Sequence, residues 1–232
     1  MALKKNKAGS QMYPWVSAMH THLGGECSHK CKYCYVNNPR FGRAPRYTGP
    51  IQLIEEEFKV HYKSGETIFI EHMNDLWAKE VPDEIIRRVL AHCCTWPDNT
   101  FVFQTKNPGR YVDFINWFPP RYIIGVTIET NRVIEGISNA PTPEERYQAI
   151  MNFPFTGVKR FVTIEPVLAF DLEIFAKWIA FMRPDFLNLG ADSKSHNLPE
   201  PTVKDITALV DKLHEFGVDL REKHNLKRLK QE

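Results

Sequence analysis

With 232 residues, 43% of them hydrophobic and 25% charged, the chain can build one substantial core, and its composition excludes a disordered or fibrous protein. No stretch approaches the roughly 20 consecutive apolar residues that span a bilayer. The N-terminal MALKKNKAGSQMYPW lacks the apolar run of a secretory signal, so a cytoplasmic protein with no membrane contact is expected. The net charge of +2 hides an uneven distribution: residues 1 to 63 hold ten Lys or Arg against four Glu, and Lys223, Lys227, Arg228 and Lys230 crowd the other end. Such ends can steer a phosphate-bearing substrate, although the basic tail reads first as a solvated terminus.

The first strand-like run is WVSAMHTH (15–22), followed by a loop with three cysteines and a helix pattern over 50–63. TIFIEHM (67–73) predicts a second strand, and Pro82, Asp83 and Glu84 form a suitable first turn for a helix over 82–95. TFVFQTK (100–106) and a helix over 108–117 come next, then YIIGVTIET (122–130) and a helix over 142–152. Thr142, Pro143 and Glu145 supply that helix with an N-cap, an N1 proline and a capping box. RFVTIEPVL (160–168), a helix over 171–182, DFLNLGAD (185–192) and a helix over 201–216 complete the series. The last helix has Thr202 and Asp205 at capping-box spacing, with Gly217 where a C-terminal cap belongs.

The strand runs are apolar, β-branched or aromatic, as strands covered on both faces must be. Strand and helix alternate six times, which implies a parallel sheet with right-handed crossovers. A closed eight-unit barrel needs about 250 residues. Six units and a short seventh strand near 218–220 therefore predict a partial, laterally open (β/α)6 TIM-type barrel, with a doubly wound open sheet as the alternative. One domain over 1–232 is expected, with its core at about 12–217 and a basic tail at 218–232. Polar residues collect where the runs end, and ligands of parallel α/β folds bind at the carboxyl ends of strands.

Five cysteines, an odd number, argue against a secreted disulfide framework. Cys93 and Cys94 fall inside a helix pattern and read as buried small apolar residues. Cys27, Cys31 and Cys34 differ: their C-x3-C-x2-C spacing suits a soft metal, zinc or an iron–sulfur cluster. Zinc would need a fourth ligand, for which His22 or His29 is available. In a cubane cluster each iron takes one protein ligand, so three cysteines leave one iron open.

With Tyr33 before its last cysteine and a strand before the loop, this motif resembles that of the radical S-adenosylmethionine superfamily. The resemblance implies a [4Fe–4S] cluster held by Cys27, Cys31 and Cys34. The open iron binds the amino and carboxylate groups of S-adenosyl-L-methionine (SAM). Reductive cleavage of the sulfonium then gives methionine and a 5′-deoxyadenosyl radical that abstracts hydrogen from a substrate. An external electron donor of the flavodoxin or ferredoxin type is implied. Tyr33 matches the position whose backbone meets the adenine. Where the family commonly carries GGEP to bind the methionine amino group, this chain has His72-Met73-Asn74-Asp75-Leu76, so Asn74 or Asp75 is expected to supply the acceptor. The segments HMNDL, FVFQTKNPGR, IIGVTIET and FVTIEPVL further resemble an uncharacterised, largely phage- and bacteria-encoded radical SAM subgroup with M-S-D-L, L-T-K-x-P, G-x-S-x-E and E-P-L motifs.

Lys106, a cation at the end of a central strand, is a candidate partner for the methionine carboxylate or a substrate phosphate. Glu129, with Thr127 beside it, is a candidate acceptor for ribose hydroxyls or the ammonium, and Glu165 for a similar role on the next strand. A buried carboxylate without a partner is costly, so both glutamates are expected to meet Lys106, SAM or substrate. His20, His22 and His72 read as hydrogen-bonding core residues rather than catalysts. The proline- and glycine-punctuated segment 37–50 resembles a lid or a nucleic-acid contact, with Arg40, Arg43 and Arg46 for phosphates and Phe41 or Tyr47 for stacking, and reads equally as a coil whose arginines only solvate it. The expected function is that of a radical SAM enzyme on an unidentified substrate, for which a nucleic acid or nucleotide is the candidate class. The alternative is a zinc-binding structural or nucleic-acid-binding protein.

Overall fold

The computed structural model describes residues 3–7, 9–10, 12–37, 45–154 and 157–230. It divides the chain into two compact units with interleaved segments: Met1–His29, Cys34–Thr105 and Arg110–Ile124 in the first, Lys30–Tyr33, Lys106–Gly109 and Gly125–Glu232 in the second. Among the described residues no helix is long and apolar enough to cross a membrane.

In chain order the first unit contains β1 (Lys4–Lys5), β2 (Ala18–His20), β3 (Leu23–Gly24), β4 (Gln52–Leu53), β5 (Thr67–Ile70), α1 (Asp83–Cys94) and β6 (Thr100–Thr105). β2, β5 and β6 pair in parallel, with Ala18 opposite Ile68 and Ile68 opposite Phe101, while β1 adds an antiparallel edge. The paired segments are apolar because both sheet faces are covered. α1 buries Ile86, Val89, Leu90 and Cys93, one helical stripe. Each fully buried aliphatic side chain of this kind contributes about 1.5–3 kcal/mol. Trp77 anchors an aromatic cluster, with ring centroids 4.7 Å from Tyr111 and 5.4 Å from Phe118. β3 and β4 form a short antiparallel stem, extended by Gly25 N–H donating to Arg46 O at 2.8 Å. Gly25 has φ +83°, and a Cβ there would lie 2.1 Å from the Pro50 carbonyl oxygen, so only glycine fits.

β7 (Tyr122–Thr127) begins in the first unit and ends in the second. The second unit continues with α2 (Pro143–Asn152), β8 (Lys159–Ile164), α3 (Leu172–Met182), β9 (Phe186–Leu189), α4 (Val203–Glu215) and β10 (Leu220–Glu222). β8, β9 and β10 pair in parallel, with Phe161 opposite Phe186 and Leu187 opposite Leu220. Both predicted capping boxes form, Thr142 with Glu145 and Thr202 with Asp205. Such caps contribute about 1 kcal/mol each. Gly217 takes φ +72° just past α4 and donates to His214 O at 2.9 Å.

Four expectations need correction. The 50–63 segment is β4 followed by a 3-10 turn over Glu55–Lys59, because Gln52 and Leu53 pair with the stem and Glu57 turns inward to His20 and Arg46. The 108–117 helix is 3-10, with Phe114 leaving helical geometry at φ −118°. Cys93 is buried as expected, but Cys94, the next residue of α1, is exposed. The basic tail is not simply solvated: Leu226 is buried, and Lys223, Arg228 and Lys230 pair with Glu165, Glu200 and Glu222.

Candidate functional site

Within the second unit, the central part of the cysteine loop is anchored at three points. Lys32 N–H donates to Ile137 O at 2.8 Å, Cys31 Sγ lies 3.2 Å from Ser138 Oγ, and the Tyr33 hydroxyl donates to Glu129 Oε1. Two residues beyond the end of β7, Glu129 is buried and gathers two cations: Arg146 Nη1 at 2.7 Å from Oε2 and Lys106 Nζ at 3.5 Å from Oε1. The Lys106 ammonium also stands 5.4 Å from the Tyr33 ring centroid, a cation–π contact. Thr127 contributes its carbonyl, which accepts from Arg146 Nη1 at 3.0 Å. Tyr33, Lys106, Thr127 and Glu129 are therefore brought together in one cluster.

Arg146 completes this cluster and escaped the sequence reading. It lies on the buried stripe of α2, three residues after Pro143 and four before Ile150. An arginine at a core-facing position is the signal that could have found it, since such a charge is almost never buried without a partner. Burial pushes the Glu129 pKa up, but the Arg146 and Lys106 charges and the Tyr33 bond outweigh it, holding the carboxyl below its ordinary range. Burial, then the Glu129 charge, pushes the Tyr33 phenol upward. One carboxylate against two cations leaves a net positive charge. A cavity lined by Glu129, Arg146, Ser138, Ile137, Pro141 and Leu168 adjoins it. Chemically, this arrangement accepts an anionic group next to an apolar body.

Glu165 follows β8 and has other partners: Lys223 Nζ at 2.6 Å and Asn225 Nδ2 at 2.7 Å. Gly190 makes room for them, because a Cβ there would stand 2.8 Å from Asn225 Oδ1 and 2.9 Å from Glu165 Oε1. Their pairing with Glu165 spans 58 and 60 residues, so no local signal marks Lys223 or Asn225 as its partners.

In the first unit, Asn74 and Asp75 hold the cysteine loop. Asn74 Nδ2 donates to Gly25 O at 3.2 Å, and Asp75 Oδ2 lies 2.9 Å from His29 Nε2. The histidines form a buried network: His20 between Glu57 and Tyr62, His22 between Glu71 and His92, and His72 with Thr21. Burial lowers His20 to about 4, His22 to about 3 and His72 to about 4, so all are neutral imidazoles at pH 7. Burial raises Glu71 to about 7 against the bonds it accepts from the His22 and Leu23 amides. Of the basic segment, Arg40, Phe41 and Arg43 lie outside the described residues, and Arg46 is turned inward to Glu57 and Thr21 O, each at 2.6 Å.

The donor chemistry of the loop fits an iron–sulfur cluster: three thiols within eight residues, and no disulfide joins any of the five cysteines. Among the described residues, no group of three or more His, Cys, Asp or Glu is placed to hold a single metal ion.

Residues 15–182 match the family described as "Protein of unknown function (DUF5131)". No curated protein matches the chain. Among solved structures, a spore photoproduct lyase variant is similar with a TM-score of 0.64 at 10% identity, covering 96% of this chain and 80% of that one. A spore photoproduct lyase variant with bound AdoMet and dinucleoside spore photoproduct gives 0.57 at 11%, covering 92% of this chain and 66% of that one. SuiB from Streptococcus suis, bound to S-adenosylmethionine, gives 0.56 at 11%, covering 90% of this chain and 51% of that one. The likeness is one of fold, and it bears out a mostly parallel, laterally open α/β sheet of the partial TIM-barrel type.

Proposed function

This chain belongs to the DUF5131 family of proteins of unknown function, and we propose that it is a radical SAM enzyme acting on a nucleic acid or nucleotide. The observation that carries the reading is the second unit's cluster, where Cys31 and Tyr33 of the cysteine loop are anchored and Tyr33 meets the net-positive group of Glu129, Lys106 and Arg146. Cys27, Cys31 and Cys34 would hold a [4Fe–4S] cluster, which supplies the electron that cleaves the SAM sulfonium when bound.

The chain's own residues have distinct tasks in this reading. Lys106, the more accessible cation at 17% side-chain exposure, binds the methionine carboxylate, while Arg146 keeps Glu129 ionised. Glu129 accepts from ribose hydroxyls or the ammonium with its remaining lone pairs. The apolar wall of Ile137, Pro141 and Leu168 excludes water from the adenosyl group. The Lys223–Glu165–Asn225 group offers a second polar contact for SAM or substrate. Thiol chemistry of this kind suits a reducing, cytoplasmic setting and an external flavodoxin- or ferredoxin-type donor. The nucleic-acid assignment is supported by Arg40 and Arg43 in the sequence of the 37–50 segment and by the dinucleoside ligand of one structural neighbour.

Anaerobically reconstituted protein should carry about four irons and four sulfides per chain. With dithionite and SAM it should release 5′-deoxyadenosine, and Cys31→Ala should abolish that product. Zinc without iron after reconstitution overturns the proposal and supports the zinc-binding alternative. Deuterium transfer from labelled oligonucleotides or nucleotides into 5′-deoxyadenosine tests the substrate class.

A further inference from the structure

The segment that follows β5 grips the cysteine loop of the first unit repeatedly. Glu71 accepts from the amides of His22 at 2.7 Å and Leu23 at 3.2 Å, and Asn74 donates to Gly25 O. Glu80 bonds to Ser28, and the Tyr35 hydroxyl donates to His72 O. The most deeply buried of these contacts to residues 27–35 is the His29–Asp75 pair, at 4% and 8% exposure. His29 stands midway between Cys27 and Cys31.

Asp75 is itself fixed from behind. Its Oδ1 accepts from Trp77 N–H at 3.0 Å and from Thr105 Oγ1 at 2.7 Å, and Trp77 and Thr105 are both buried. A turn cap would account for the Trp77 bond alone. It does not account for a buried carboxylate whose second oxygen is spent on a histidine between two candidate thiolate ligands. Three thiolates on one short loop repel one another, so the loop needs external bonds to keep its shape. Partners of this kind behind metal-binding loops orient the ligands.

Resting on the radical SAM reading, we infer that Asp75 is a positioning residue: through His29 it holds the Cys27–His29 part of the loop in the shape that takes the cluster. The His72–Leu76 segment thereby serves the cluster loop, in the place where an amino-group acceptor was expected.

The test uses full-length wild type, Asp75→Asn and His29→Gln. Without iron, iodoacetamide labelling of Cys27, Cys31 and Cys34 is followed by mass spectrometry. Losing a charge-assisted bond should speed labelling of Cys27, which is half-buried in the native loop and lies in the same unit, by about 10-fold. Buried Cys93 should stay protected, showing that the fold persists; if it reacts in Asp75→Asn, His29→Gln carries the comparison from the loop side. After anaerobic reconstitution, both variants should bind iron about 10- to 100-fold more weakly. The cluster of Asp75→Asn should reduce at a less negative potential, because a negative charge held against the loop is gone, a shift that loss of fold stability alone would not produce. Wild-type labelling rates, iron affinity and potential in both variants overturn the inference. Wild type that takes up no iron overturns the radical SAM reading instead, and the labelling rates then decide alone whether Asp75 holds the loop.

Discussion

Replacing Arg146 with methionine is the sharpest perturbation of the candidate site. It removes the guanidinium 2.7 Å from Glu129 while keeping most of the side chain's bulk, and both partners are 4% exposed. Breaking one side of a buried ion pair costs about 3–5 kcal/mol, because the remaining charge is desolvated without compensation. Lys106, at 3.5 Å, offsets only part of that loss. The Thr127 and Pro141 carbonyls also lose their donors, at 3.0 and 2.7 Å. At about 2–4 °C per kcal/mol for a chain of this size, the melting temperature at pH 7 should fall by about 6–20 °C.

The pH dependence gives a sign that packing defects do not share. In wild type the Glu129 pKa is held below its ordinary value, so its stabilisation is present above the unfolded pKa and lost as pH falls through the folded one. Without Arg146, burial dominates and raises that pKa, so acid relieves the variant by neutralising the carboxylate. The gap between the two proteins should therefore narrow as pH is lowered from 7 toward 4, followed by thermal melts monitored by circular dichroism. A gap that stays constant over this range, or stays under about 1 kcal/mol, would refute the assignment of Arg146 as the counter-ion.

Lys106→Ala should weaken SAM binding about 10- to 100-fold in equilibrium dialysis, through loss of a charge-assisted contact, while the melting temperature changes little because the lysine is partly exposed. Gly25→Ala should destabilise the stem by at least about 1–3 kcal/mol, given φ +83° and a Cβ 2.1 Å from Pro50 O, and should lower iron uptake on reconstitution. The buried histidines His20 and His22, lowered to about 4 and about 3, bind protons better when unfolded, so stability should fall as pH drops below about 6.5. Glu71, raised to about 7, has the opposite sign: its burial should cost stability as pH rises from about 4.5 to 7, and Glu71→Gln should flatten that limb of the melting profile.

Signals written in neighbouring residues survived contact with the structure. The capping boxes at Thr142 and Thr202 form because both partners lie within one turn. The strand runs form because their β-branched and aromatic side chains suit a buried ladder on any neighbour. The 50–63 segment failed for the complementary reason. Its helix-like pattern is local, but Gln52 and Leu53 are claimed by Leu23 and Gly24 across a loop of nearly thirty residues, so distant pairing overrode local preference. The 108–117 segment failed more narrowly: Pro108 and Gly109 start it, and aromatic packing of Tyr111, Phe114 and Phe118 onto Trp77 favours a tighter, kinked path.

Candidate site residues were legible wherever a ladder stops. β5 ends at Ile70 and Glu71 follows; β6 ends at Thr105 and Lys106 follows; β7 ends at Thr127 with Glu129 two residues on; β8 ends at Ile164 and Glu165 follows. Inside the ladder each residue's backbone bonds are made and most side chains are apolar, with His20, Thr163 and Asn188 as buried polar exceptions. One step past it, those constraints lapse and a polar side chain can be carried on rigid support. The sequence marks that step as an abrupt end to an apolar run, so the acidic half of each pair can be read directly. Of the cationic half only Lys106, itself one step past a strand, can be read this way. Arg146 reaches Glu129 from a helix 17 residues away, and Lys223 reaches Glu165 from the far end of the chain, so nothing next to either glutamate announces its partner. For this reason the Arg146 and Lys106 variants, rather than the glutamates, discriminate between a site that binds an anion and a row of ordinary strand ends.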